Sequence, residues 1–159
     1  MNLKNKLIAV VVSVLFVQAA NAQEIANCKN PSGYAYYHQA GIVSQKSSGW
    51  QESKITGGIF TLKRLPNNEY DILIVDARKS IISLTQDGGK IIPLRKGERD
   101  ATFVHIHPGM VIEIYTFWTG ADGKNRFDML QSKGGDGMPI HLSSLMTGDC
   151  GTINFNLIK

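Results

Sequence analysis

Downstream of residue 22, apolar and β-branched residues recur in short runs, each broken by Gly, Pro, Asn or Asp. Runs of this length with turn residues between them read as strands. The pattern predicts strands at 34–44, 58–64, 69–77, 80–85, 90–95, 101–107, 110–119, 125–132 and 151–157. The interruptions are hairpin chemistry: Pro66-Asn67-Asn68, Asp87-Gly88-Gly89, Pro108-Gly109 and Asp122-Gly123. No stretch of a dozen residues repeats near 3.6. The one helical turn expected lies over 139–147, with Pro139 at its start and Gly148 past its end. Strands joined by tight turns pair with their neighbours, so the reading is all-β: an antiparallel meander forming a small barrel or sandwich. Segments 70–76 and 110–118 are apolar on both faces, which implies that something covers their outer side or that an interior is lined with apolar groups.

The first 22 residues break this pattern. Lys4 and Lys6 precede an apolar run from Leu7 to Val17, and Ala20-Asn21-Ala22 ends the segment on small residues. A charged start, a short apolar stretch and an A-x-A site make a secretory signal peptide, and the stretch is too short for the ~20 residues of a spanning helix. Residues 1–22 are therefore assigned to the signal and 23–159 to a single β domain, periplasmic or extracellular once processed. Removing Lys4 and Lys6 lowers the formal charge from +4 to +2. So small a surplus predicts no nucleic-acid partner, and a monomer is expected. The shortness of the apolar runs, the longest aliphatic one after residue 22 being Ile72-Leu73-Ile74-Val75, predicts no membrane span. All 16 glycines fall in the remaining chain. That excess suits a protein made of turns.

Export changes the meaning of Cys28 and Cys150, the only two cysteines. Redox catalysis favours close spacing such as C-x-x-C, whereas these two fit a structural bridge between the N-terminal and C-terminal segments. A lipocalin-like barrel is the architectural comparison, yet that family's Gly-x-Trp is absent, since Gly49 and Trp50 are adjacent.

The most suggestive chemistry lies at His105-Ile106-His107-Pro108-Gly109, followed by Glu113. Residues two apart share a strand face, so His105 and His107 stand together. A three-residue loop would pair His107 with Val111, His105 with Glu113 and Phe103 with Tyr115, leaving Val104, Ile106, Ile112 and Ile114 as one apolar face. The first face could hold a divalent metal through His105, His107 and Glu113, or form an acid–base pair. Its plainer alternative is a solvated outer face. No other cofactor is indicated.

Further candidates are weaker. Tyr34, Tyr36, Phe103, Tyr115 and Trp118 could line a ligand site, with an ordinary β core as the competing explanation. Trp50 is expected to plug one end of the barrel. The stretch Lys133-Gly134-Gly135-Asp136-Gly137 lacks the Lys-Ser/Thr and helix of a phosphate loop and reads as a turn. Between Lys54 and Arg99 nine basic residues face five acidic ones, a mild bias fitting soluble sheet edges. The expectation is thus a non-catalytic binding module, taking a small apolar ligand or a protein partner in the cell envelope. The competing expectation is a small enzyme built on His105, His107 and Glu113.

Overall fold

The computed structural model describes residues 21–76 and 78–158. The expected signal peptide lies outside the described residues except for its last two. The described chain is almost entirely β: β1 (Gln23–Tyr37), β2 (Gly49–Lys54), β3 (Ile59–Arg64), β4 (Tyr70–Val75), β5 (Ile81–Ser83), β6 (Lys90–Lys96), β7 (Asp100–His107), β8 (Val111–Thr119), β9 (Asn125–Lys133) and β10 (Leu142–Cys150). Two short 3₁₀ turns, Gln45–Ser47 and Phe155–Leu157, are the only helical pieces among the described residues.

All strand pairs are antiparallel and make one sheet in the order β5-β4-β3-β1-β10-β9-β8-β7-β6, with β2 also on β1. The sheet curls into a half-barrel. Two meanders, β3–β5 and β6–β10, are joined because β1 pairs with both β3 and β10. At Asn30-Pro31 the ladder shifts register, Asn30 takes a φ of 51°, and β1 passes from β3 to β2. Cys28 stands directly opposite Cys150 in this ladder and the two form a disulfide.

Inward-facing rings fill the concave side. Tyr70, Phe103, Phe117, Phe127, Phe60 and Tyr115 follow one another at centroid spacings of 5.0–6.2 Å. Leu62, Ile72, Met129 and Ile158 pack around them.

Four sequence expectations give way here. Segment 139–147 is not helical: residues from Leu142 onward form β10, because the gap between β1 and β9 needs a strand with Ser144 and Met146 inward. Gly148 is no cap but a mid-strand residue whose Cβ would meet the Phe127 ring at 2.5 Å. Segment 151–157 is not a strand. The Gly151 N–H donates to Asn27 O and the Asn154 N–H to Ile25 O, which turns the chain under the half-barrel and buries Ile153 and Ile158. Trp50 is no plug, since it stands 70% exposed on β2, edge-on to Tyr36. The expected strand 34–44 begins instead at Gln23 and ends at Tyr37.

Candidate functional site

The β7–β8 hairpin adopts the three-residue connection and the register expected of it: His107 opposite Val111, His105 opposite Glu113, Phe103 opposite Tyr115. The side chains on this face, however, point into the molecule. His105 and Glu113 are buried, as are Phe103 and Tyr115, so the solvated-face alternative is overturned. The apolar face of Val104, Ile106, Ile112 and Ile114 is the one turned outward, with Ile112 more than half exposed.

Glu113 organises the buried network. Its Oε2 accepts from His105 Nδ1 at 2.8 Å and from the Tyr115 hydroxyl at 2.7 Å, and its Oε1 accepts from Gln131 Nε2. Burial alone pushes this carboxyl up, but hydrogen bonds from His105, Tyr115 and Gln131 together outweigh it and hold the group below its ordinary value. An ionised carboxylate can only accept, so the His105 proton sits on Nδ1. Tyr115 responds oppositely: burial first, then the neighbouring Glu113 charge, pushes its phenol well above the usual range.

His105 Nε2 is buried without a hydrogen-bond partner. It faces the loop between β5 and β6, where a Cβ on Gly89 would lie 2.1 Å from it. That loop is firmly held. Buried Asp71 accepts from Ser83 Oγ (2.7 Å) and the Thr85 N–H (3.1 Å), and the Gly89 N–H donates to Leu84 O. His107 is tied to the same loop, its Nε2 donating to Asp87 O at 2.9 Å. Chemically, then, the site is a carboxylate–imidazole couple whose free nitrogen is covered by backbone.

The structure brings together His105, Glu113 and Tyr115 and leaves His107 outside the network. Among the described residues no group of three or more His, Cys, Asp or Glu side chains has the arrangement to hold a metal. The five aromatic candidates do not share a site. Phe103 and Tyr115 belong to the interior, while Tyr34 and Tyr36 lie on the outer face. Trp118 donates to Asp128 Oδ2 at 2.9 Å beneath the Arg126 guanidinium. Sequence reasoning missed Gln131 and Gly89. Extending the hairpin register from β8 to β9 would have found Gln131, which pairs with Glu113.

The outer face carries a second arrangement. Following the registers from strand to strand, Ile92, Val104, Ile114, Leu130, Leu145 and Tyr34 form one continuous cross-strand row over β6, β7, β8, β9, β10 and β1. Leu130, Leu145 and Tyr34 are 45%, 54% and 56% exposed. Beside this row stand Ile106, Ile112, Tyr36 and Trp50. A depression of about 620 Å³ at the hairpin end of the same face gathers His38, His107 and His141 beside Met110, Ile112 and Lys133. In comparisons with known proteins, no family model, curated protein or solved structure matches this chain.

Proposed function

We propose that this protein is an exported binding module, without catalytic activity, that engages a protein partner in the cell envelope through the outer face of its sheet. The cross-strand row from Ile92 to Tyr34 carries the proposal. Contiguous exposed apolar surface on a small domain marks interaction sites, and here aromatic anchors Tyr34, Tyr36 and Trp50 border it. The aromatic rings from Tyr70 to Tyr115 occupy the space where an internal ligand would sit, which favours an external partner over a small apolar ligand. Export draws support from the Lys4-to-Ala22 pattern and from the Cys28–Cys150 bridge, a bond that persists in oxidising compartments.

The test is site-specific photo-crosslinking in the native envelope. A crosslinker at Leu145 or Leu130 is expected to give one adduct of discrete mass, whereas one at Thr116, on the polar part of the same face, gives none. No adduct from either position, or equal labelling at all three, would refute the proposal.

A further inference from the structure

Three strands among the described residues leave one edge without a ladder partner: β5, β6 and β2. Exposed edges recruit other strands unless they are blunted. β5 is only three residues long. β6 contains Pro93, which has no N–H, a register shift between Pro93 and Arg95, and the cations Lys90, Arg95 and Lys96. β2 has six residues, no proline and no bulge.

The hydrogen-bond phase of β2 fixes what its edge offers. The Ile55 N–H donates to Pro31 O, so Pro31/Ile55 belongs to the bonded set of the β1–β2 ladder. Alternation extends that set to Gly33/Ser53, Ala35/Gln51 and Tyr37/Gly49. The N–H and C=O groups of Trp50, Glu52 and Lys54 therefore point away from β1. On β1's other side the His38 N–H donates to His141 O, in agreement with this phase. The side chains of the same three residues lie on the outer face, in register with Tyr36, Tyr34 and Ser32.

We infer that this edge pairs with β2 of a second copy of the chain, the two strands running antiparallel about a two-fold axis at Ser53. A symmetric pairing must set the outward-pointing backbone groups of Trp50, Glu52 and Lys54 against one another, which leaves axes at Gln51, Glu52 and Ser53, and the two charges choose among them. An axis at Glu52 sets the two carboxylates directly opposite each other, a destabilising arrangement. An axis at Gln51 places Glu52 opposite Trp50 and Lys54 opposite Ser48, so neither charge meets its opposite. With the axis at Ser53, Glu52 of each copy faces Lys54 of the other, so two opposite-charge pairs form and no charge is left unmatched, while Trp50 lies opposite Thr56 just past the end of the strand. This is an isologous interface. It unites the aromatic surfaces of Tyr34, Tyr36 and Trp50 in the two copies along one broader sheet.

Sedimentation velocity over a concentration series tests the inference on the processed chain. A reversible dimer is expected. Glu52→Lys or Lys54→Glu should each raise its dissociation constant about tenfold, and the double charge swap should restore it. Leu145→Ser, on the outer face away from the edge, should leave it unchanged. Ser53→Cys should yield a covalent dimer under air oxidation, and Gln51→Cys should not. A chain that stays monomeric at millimolar concentration overturns the inference. So does a dimer insensitive to Glu52 and Lys54, or one abolished by Leu145→Ser. A failed crosslink at Leu145 with an intact edge dimer would count against the envelope partner alone.

Discussion

Glu113 lies in the interior with donors on both of its oxygens, and the sign of its pH dependence follows. Its folded value is lowered relative to the unfolded chain, so its stabilisation is fully present above the unfolded carboxylate range near pH 4.5 and is lost as pH falls through the folded value. Glu113→Gln should flatten that acid limb. At neutral pH it should cost about 2–3 kcal/mol, because an amide brings donors to where His105 and Gln131 already donate. Urea midpoints at pH 7, 5, 4 and 3 measure both effects. Gly89→Ala tests the loop over His105. Its Cβ would lie 2.7 Å from Leu84 O as well as against the imidazole, and the expected loss is about 1–3 kcal/mol, read from the same midpoints.

At the level of elements, the hairpin β7–β8 was legible because one local argument fixed it: Pro108-Gly109 selects the loop length, and the loop length selects the register. The pairing of His105 with Glu113 followed. Which face turned inward did not follow, because Phe103 and Tyr115 on one side and Val104 and Ile114 on the other are all large and apolar. Only the position of β7 and β8 within the curled sheet decides between them. β2 was missed for a related reason, since Gly49–Lys54 buries no side chain and leaves no alternation to read. β10 was obscured by Pro139 and Gly148, whose punctuation is local while the strand exists through its neighbours β1 and β9. The disulfide needed no such context, with only two cysteines present. Replacing both Cys28 and Cys150 by Ser should lower stability by about 2–4 kcal/mol, consistent with the long loop they close. Urea unfolding of the variant against the oxidised parent provides the check.

For the whole molecule, the division between a filled interior and a bare apolar exterior carries the main consequence. Core and outer row should respond differently to mutation. Leu130→Gln combined with Ile112→Gln is expected to leave the unfolding free energy within about 0.5 kcal/mol while removing the crosslink formed from position 145. Phe127→Ala, in the ring stack, should cost about 3–5 kcal/mol. Thermal and urea unfolding of the two variants together separate surface from core.

β1 occupies the middle of the sheet, and the strand that completes its long ladder is β10, the last strand of the β6–β10 meander. One side of β1 therefore stays unpaired until residues 142–150 are available, although β2 and β3 can take the other side early. Contacts between such distant segments make folding slow, because loop closure precedes any reward from pairing. Completion of the sheet thus falls to the last strand: β1 can take up β2 and β3 early, but the two meanders become one sheet only when residues 142–150 are in place.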